Sequence, residues 1–416
     1  MGHCCGGNAV ARNEPLTGPS TGFTVDNAAL QARKFAETEL PQLIYPEGRF
    51  SGRGVVIVGG GTKFWPCVWT CLRALRHVGC KLPVEIWHRG QRFNEYNAAF
   101  DQLCQGFGAV HVCSEDVRDL HPHARLNGWE LKPYAVTWCS FEEVLLIDAD
   151  NVCVIDPTFL FDCPEQQATG TCLWPDYHRT PKSSGVWKIF GHAYVNEPEI
   201  ESGQVVCDKR RAWAALQLAN WYCERSDFYF RHVHGDKEIF HHAWRVLQQP
   251  YAMTEKPIHS LKGTMCQHDF ASRQNRRIFQ HRNWNKFVLE TGDNEPRPGF
   301  LLEAECLQWI AELAREWSPA AQTLASAADK AAVKAAARRW RYTRVGKDAR
   351  DVVLRDDGTF ASGGAGCERF WTIRDGRLLI SHSDGRLTMD MEPDGDGGWR
   401  GAWLIYEKMS VTLTPI

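Results

Sequence analysis

The sequence predicts an α/β protein: a Rossmann-like nucleotide-binding domain, then a helical connector, then a small antiparallel β domain. Three observations predict it. The runs Val55-Val56-Ile57-Val58 and Val144-Leu145-Leu146-Ile147 are short, apolar and non-alternating, as in strands buried on both faces of a parallel sheet. Helical spacing follows the first run through Phe64 to Val78, and Leu82 to Trp87 reads as a second strand, which makes a β-α-β unit. From Trp340 onward, short alternating segments are broken by Asp-Gly turns at 356–358, 375–376, 384–385 and 395–398, the pattern of hairpins.

Bulk properties bound the function. A chain of 416 residues exceeds one ordinary core, so two or more domains are expected. Apolar content of 44% and charged content of 24% are globular values. A net charge of −2 without a long basic run gives no footprint for nucleic acid, so the partner is expected to be a small or mixed-polarity ligand. The 16 cysteines contain no Cys-x-x-Cys pair, which removes the zinc-ribbon and thioredoxin readings and predicts scattered buried thiols. Seventeen tryptophans are expected mainly in cores, with any exposed ones suited to stacking on sugars or bases. No signal-peptide core, 18-residue apolar span or Asn-x-Ser/Thr acceptor occurs, so a cytoplasmic place is expected, with peripheral membrane attachment left open. Met1-Gly2-His3-Cys4-Cys5-Gly6 resembles an acylated terminus, but Gly6 stands where that pattern needs Ser or Thr. Residues 1–24 are therefore expected to form an unmodified, disordered tail.

In chain order, Asp26 is expected to cap a helix running to about Glu39. The strand over 54–58 ends in Gly59-Gly60-Gly61, a turn that lets backbone approach a nucleotide closely. It lacks both the dinucleotide fingerprint and the Gly-Lys-Ser/Thr of a P-loop. Val110 to Val112 reads as a strand, and a helix opens near Trp129 with Lys132 and Pro133 in its first turn. Asn151 to Asp156 reads as a short returning strand, and Trp174-Pro175-Asp176-Tyr177 as an aromatic-rimmed loop. Glu201-Ser202-Gly203-Gln204 precedes an apolar strand over Val205 to Asp208. Helices are expected from Arg210 to Glu224 and from Gly235, with Asp236 at an N-terminus. The histidines at 232, 234, 241 and 242 are expected in surface and core positions rather than in a zinc site. Residues 25–300 should form the first domain. Residues 301–339 should be a helical connector, with one helix to Trp317 and a new start at Ser318-Pro319. Residues 340–416 should be the β domain, with Trp340, Trp371, Trp399 and Trp403 mainly in its core.

The chemistry centres on Asp148-Ala149-Asp150. Ligands of open α/β sheets bind beyond the carboxyl ends of the strands. Two aspartates there suit a hard divalent cation carrying phosphate oxygens, since Mg²⁺ or Mn²⁺ accepts one or two carboxylates and fills its remaining positions from water and substrate. A late His and Lys, found in Phe279-Gln280-His281-Arg282-Asn283-Trp284-Asn285-Lys286, would suit completing such a site.

These pieces in this order, with Gly235-Asp236-Lys237-Glu238 and Gln267-His268-Asp269 between them, resemble the α-mannosyltransferases typified by fungal α-1,3-mannosyltransferases, glycosyltransferase family 71. The resemblance covers about residues 50–290. It implies a GT-A fold and a retaining hexosyl transfer, mannose-type favoured, from GDP-mannose or a UDP-hexose to a carbohydrate or other hydroxyl acceptor. It further implies that Asp148, Asp150 and His281 hold Mn²⁺, or Mg²⁺, on the donor diphosphate. Gly59, Gly60, Gly61, Lys63, Lys132, Asp148 and Lys286 would bind the donor, and Glu201, Gln204 and Asp236 would act at the sugar. Two other readings remain open at this point: a carbohydrate-binding protein without catalysis on the same fold, and a phosphatase of the haloacid dehalogenase type.

Overall fold

The computed structural model describes residues 22–416 except 62, 91, 92, 94, 271–275, 290–293, 325, 326, 357, 366, 375, 383–386 and 405–408. Most of the expected N-terminal tail therefore lies outside the described residues, as do positions 357, 375, 384 and 385 of the expected turns.

The first domain opens with α1 (Ala28–Thr38), β1 (Arg53–Val58), α2 (Trp65–His77), β2 (Val84–His88), α3 (Ala98–Gln105) and β3 (Ala109–Cys113). Next come α4 (Ser114–Leu120), α5 (Leu131–Trp138), β4 (Glu143–Asp148), β5 (Asn151–Cys153), α6 (Pro164–Thr169) and β6 (Thr171–Pro175). Then α7 (Val186–Phe190), β7 (Ile200–Asp208), α8 (Lys209–Cys223), α9 (Ser226–Tyr229) and α10 (Asp236–Val246) follow. The strands β8 (Ala252–Met253), β9 (His259–Leu261), β10 (Thr264–His268) and β11 (Arg277–His281) end the domain. Asn27, not Asp26, holds the N-cap position of α1, and Asp26 instead pairs with Lys188 across 2.5 Å.

Among the described residues the main sheet has the order β3-β2-β1-β4-β7-β6-β8. Strands β1 to β4 pair in parallel, but β7 runs antiparallel to both β4 and β6. The sheet is thus mixed, where the apolar runs alone predicted a parallel one. Both faces are covered, which is why the apolar runs do not alternate. Val55 and Ile57 of β1 and Leu145 and Ile147 of β4 enter one core with α2 and α3, while Val56, Val144 and Leu146 enter the other with α5, α8 and α10. Trp174 and Pro175, read from sequence as loop, end strand β6; the Trp174 ring is buried and its Nε1–H donates to the His268 carbonyl at 2.9 Å. A second sheet, β5-β11-β10-β9, lies beside the first.

The stretch expected as a connector forms α11 (Glu303–Leu324) followed by α12 (Ala327–Ala336). The first helix runs through Ser318 and Pro319, where a new start was expected, and buries Cys306, Trp309, Ile310 and Leu313 in the core that holds α2. The chain ends in β12 (Arg339–Arg344), β13 (Asp348–Leu354), β14 (Phe360–Ser362), β15 (Phe370–Arg374), β16 (Arg377–Ser381), β17 (Leu387–Pro393), β18 (Trp399–Trp403) and β19 (Ser410–Pro415). They form one antiparallel sheet in the order β14-β13-β12-β19-β18-β17-β16-β15. A bridge between Thr359 and Phe370 brings the two edges together, so the meander closes on itself, which removes exposed edges. The interior is filled by Trp340, Tyr342, Trp371, Ile380, Met389 and Leu413 among others, with Val333 and Ala336 of α12 packed on them. Trp399 and Trp403 are half-buried against the same core. The described cysteines are free thiols, most of them buried, and no helix among the described residues is long and apolar enough to cross a membrane.

Candidate functional site

Strand β4 delivers Asp148 to the carboxyl edge of the main sheet. Val58, just before the glycine turn, pairs with Asp148 on one side, and Ile147 pairs with Gln204 of β7 on the other. The chain turns through Ala149 and Asp150 into β5, whose Asn151 lies across from His281 of β11. Residues more than a hundred positions apart thus converge on one strand end. His281 Nε2 lies 3.3 Å from Asp150 Oδ1 and 3.6 Å from Asp148 Oδ2, and its Nδ1 lies 3.5 Å from Glu201 Oε1. Glu201 sits near the start of β7 and also accepts the Gly203 N–H at 2.8 Å. Gly203 is required by this crowding: a Cβ there would stand 2.5 Å from His281 Nδ1.

Two lysines neutralise part of the acid. Lys132, in the first turn of α5, places Nζ 2.7 Å from Asp148 Oδ1 and 3.4 Å from Asp236 Oδ2. It also donates to Ser202 Oγ at 3.3 Å, and Ser202 donates to Asp236 Oδ2 at 2.5 Å. Lys286 donates to Asp150. Burial disfavours the charge of Asp150, but His281 and Lys286 outweigh it and hold that carboxyl below its ordinary range. Burial likewise opposes the charge on Glu201, and His281, Lys132 and the Gly203 N–H bring it down to about 2. Burial pushes His281 down, yet Asp150 and Glu201 prevail and raise it to about 10. Burial pushes the Asp148 carboxyl up, against the pull of Lys132 and His281.

Asp148, Glu201 and His281 offer two carboxylate oxygens and an imidazole nitrogen lying within 4.8 Å of one another, all three buried. This donor set suits a borderline divalent cation such as Mn²⁺, which accepts imidazole beside carboxylate. Charge agrees: the raised value of His281 keeps a proton on its ring in the metal-free site, and a divalent ion bound by the deprotonated ring would take over that positive charge against the same carboxylates. The residues present therefore fit such an ion. Glu201, expected at the sugar, stands in this set, whereas Asp150 is engaged by Lys286 and His281.

A cleft of about 1660 Å³ opens over this site. Gly59, Gly60, Lys132, Asp148, Asp150, Glu201, Asp236, His281 and Lys286 all reach its wall. Gly61, Lys63 and Gln204 are not among the residues lining it. Gly61 accepts the Phe64 and Trp65 N–H groups at the start of α2, and the Lys63 Nζ lies 5.4 Å from the Phe64 ring centre. Gln204 is fully buried, one layer behind the wall, where its Oε1 accepts from Asn151 Nδ2 at 2.8 Å. Sequence reasoning gave no role to Ser202 or Asn151. Ser202 and Asn151 fall inside quoted motifs, but only the register of β7 and β5 reveals what they touch. His241 and His242 are buried in the core, and His232 and His234 stand at or near the surface.

Fold and site together define a mixed-sheet α/β protein with an acidic, lysine-flanked strand end that can hold a divalent ion. Residues 52–200 and 191–280 match the family described as "Mannosyltransferase putative". That match spans more than half of the sequence, and the chain belongs to this mannosyltransferase family. Alpha-1,2-mannosyltransferase MNN23 of Candida albicans is 33% identical over 232 residues, covering 55% of this chain and 32% of that protein. Alpha-1,2-mannosyltransferase MNN21 of Candida albicans is 28% identical over 288 residues, covering 56% and 43%. Alpha-1,2-mannosyltransferase MNN5 of Saccharomyces cerevisiae is 26% identical over 269 residues, covering 49% and 45%. The chain spans less than half the length of these relatives. Among solved structures, the galactosyltransferase LgtC with donor and acceptor sugar analogs aligns with a TM-score of 0.36 and 12% identity over 48% of this chain and 73% of that one. The bifunctional glycosyltransferase WbbM aligns with a TM-score of 0.37 and 10% identity over 67% and 53%. Neither likeness carries a residue assignment.

Proposed function

We propose that this chain is a metal-dependent mannosyltransferase of GT-A type, moving mannose from a nucleotide sugar to a hydroxyl of a carbohydrate with retention. The observation that carries this reading is the meeting of Asp148, Glu201 and His281, flanked by Lys132 and Lys286, at the end of one interior strand. GDP-mannose is the favoured donor and a UDP-hexose the alternative. A divalent ion held by Asp148, Glu201 and His281 would supply positive charge against the donor diphosphate. Sugar transfer breaks the bond between the anomeric carbon and the diphosphate and forms one to the acceptor oxygen, so cationic character grows on the sugar while negative charge collects on the leaving group. Lys286 and Lys132 stand ready to offset that growing negative charge, which is where fixed charges gain most. Asp236, held by Ser202 and Lys132, presents a carboxylate to the cleft on the sugar side. Gln204 acts through Asn151, steadying the turn that carries Asp150.

The resemblance to family 71 suggests an α-1,3 linkage, whereas the names of the relatives specify α-1,2; the α-1,2 linkage is favoured here because three such relatives match by sequence. The test is release of nucleoside diphosphate from GDP-mannose, or from a UDP-hexose, in Mn²⁺ with a methyl mannoside acceptor, followed by linkage analysis. Asp148→Asn should lower that rate by about 10²–10³, the usual loss for one electrostatic contact. Absence of turnover with every donor would refute the reading.

A further inference from the structure

The cleft is larger than one ligand needs. Small-molecule pockets usually hold about 300–1,000 Å³, and this one has about 1660 Å³. Its wall extends past Asp148 to Asp176, Tyr177 and His178, which follow β6. In the order β1-β4-β7-β6, the glycine turn after β1 and the residues after β6 flank β4 on opposite sides. Asp176 stands two strands over from Asp148, roughly 10 Å across the sheet at about 4.8 Å per strand, and further out along the strand direction, since it pairs with Glu199 while Asp148 follows the Ile147–Gln204 pair.

This far part has its own polar floor. Asp236 and Lys237 are consecutive at the start of α10, and each belongs to a different cluster. Asp236 joins Lys132 and Asp148. Lys237 pairs with Asp176, with Glu199 at 3.1 Å and with Glu238 at 3.3 Å. Thr180 donates to Glu199 at 2.8 Å. Lys237 is thus engaged by its own carboxyls, and Arg179 and Arg231, which also line the cleft, are the cations an anionic acceptor would have to use. Burial, with Glu199 nearby, moves Glu238 up to about 8, so at neutral pH its carboxyl both donates and accepts hydrogen bonds, as sugar hydroxyls do.

Two large aromatic faces belong to the same wall. Trp129 is 51% exposed and Tyr177 is 50% exposed, and both line the cleft. The Trp129 ring is not a loose surface group. Its six-membered ring lies where a Cβ on Gly235 would sit, 2.7 Å from Cε3, and Gly235 has a φ of +79° that disfavours any larger residue. His234 packs 5.6 Å from the same ring centre. A fixed aromatic face beside carboxyl groups presents an apolar surface and a hydrogen-bonding edge, which matches the C–H face and the hydroxyl edge of a pyranose.

We propose that Trp129 and Tyr177, above the Lys237 cluster, form the acceptor subsite and take a neutral hexose rather than a phosphorylated or otherwise anionic acceptor. This assignment deepens the mannosyltransferase reading and rests on it. The test measures two quantities on the full chain. The first is binding of GDP and of UDP, each with Mn²⁺, by calorimetry. The second is the KM for methyl α-D-mannoside and for mannose 6-phosphate. Trp129→Ala and Tyr177→Ala should each raise the KM for methyl α-D-mannoside by about 10- to 100-fold, the scale of one lost apolar face, while nucleotide affinity stays within about twofold of the unaltered protein. Tyr177→Phe, which keeps the ring, should stay near the unaltered KM, so a general folding defect is distinguishable from a lost face. Mannose 6-phosphate should be the poorer acceptor. An unchanged KM in both alanine variants, or a preference for mannose 6-phosphate, overturns the subsite. If the unaltered protein binds neither nucleotide and transfers nothing, the underlying transferase reading fails instead.

Discussion

His281 lies directly across from Asn151 in the antiparallel pairing of β11 with β5. Asn151 follows the aspartate pair by one residue, so this register fixes the imidazole against the carboxylates. The neighbouring strand β7 must then pass close to the ring, and Gly203 is what permits it. Gly203→Ala would place a methyl group 2.5 Å from His281 Nδ1 in the present geometry. We expect the variant to fold with its imidazole displaced. Mn²⁺ alone should stabilise the unaltered protein by about 2.7 kcal/mol at a hundred times its Kd, and Gly203→Ala and His281→Ala should each lose most of that gain. Full retention in both variants would remove His281 from the ligand set.

Lys132 is buried between Asp148 and Asp236. Burial penalises its charge, but Asp148 and Asp236 more than compensate and its ammonium is held in the charged form. Lys132→Met leaves the carboxylates uncompensated. Removing one partner of a buried pair typically costs about 3–5 kcal/mol, so denaturant midpoints should fall clearly. Mn²⁺ should restore part of the loss by supplying positive charge to the same carboxylates. A variant as stable as the unaltered protein without metal would mean that solvent, not Lys132, balances them.

Acid should unfold this protein through histidines remote from the site. Burial moves His88, His111 and His241 each down to about 4 from an ordinary value of 6.5. Neither ring nitrogen of His111 has a hydrogen-bond partner among the described residues. Each folded pKa lies below its unfolded value, so the unfolded chain binds more protons. The stability they contribute is complete above pH 6.5 and is lost as pH falls toward 4, by up to about 1.4 kcal/mol per unit for each histidine. His281 acts in the opposite sense: its raised value contributes stability that is complete below pH 6.5 and lost as pH rises toward 10. Urea midpoints of the metal-free protein should therefore peak near neutrality and fall on both sides. A midpoint unchanged from pH 7.5 to pH 5 would contradict the buried neutral histidines.

The parts legible in the sequence were those where one local signal decides the outcome. The strands β1 and β4 were readable because both faces are buried, and Asp148 because it ends such a run. The direction of β7 was not readable, since pairing direction is set by the crossover and not by the strand's own residues. Its polar start was read as preceding the strand; Glu201, Ser202 and Gln204 instead lie within it, because that end reaches the site. Trp174-Pro175 looked like a loop because proline is a turn signal, yet as the last residue of β6 it needs no further ladder hydrogen bond. That Glu201 comes within ligand distance of Asp148 and His281, beside Asp150, depends on side-chain geometry beyond any spacing argument. Closure of the C-terminal meander was likewise invisible, since it rests on a short seam in which Thr359 bridges Phe370 and the Trp371 N–H donates to the Gly358 carbonyl at 2.8 Å.

That closed meander supplies the last prediction. Glu368 is 1% exposed and is held by Tyr342 Oη at 2.9 Å, Arg350 Nη2 at 2.6 Å and the Ala365 N–H at 2.9 Å. Glu368→Ala strands these donors unequally. Arg350 is partly exposed and regains water, and the Tyr342 oxygen still accepts from Trp403 Nε1 at 3.1 Å. The loss should therefore be about 1–3 kcal/mol, the cost of leaving buried polar groups unsatisfied. For a domain this small, each kcal/mol corresponds to roughly 4–8 °C in Tm. The contacts that join the two parts are divided between them: α11 packs on α2 and α3, while α12 packs on β15. Phe370 of β15 is packed against the α/β core. Calorimetry of Glu368→Ala should accordingly show one transition moved down by roughly 5–20 °C and the other nearly fixed. Nucleotide binding with Mn²⁺ should persist between the two transitions. A single transition that shifts as a whole would mean that the barrel and the α/β domain unfold as one cooperative unit.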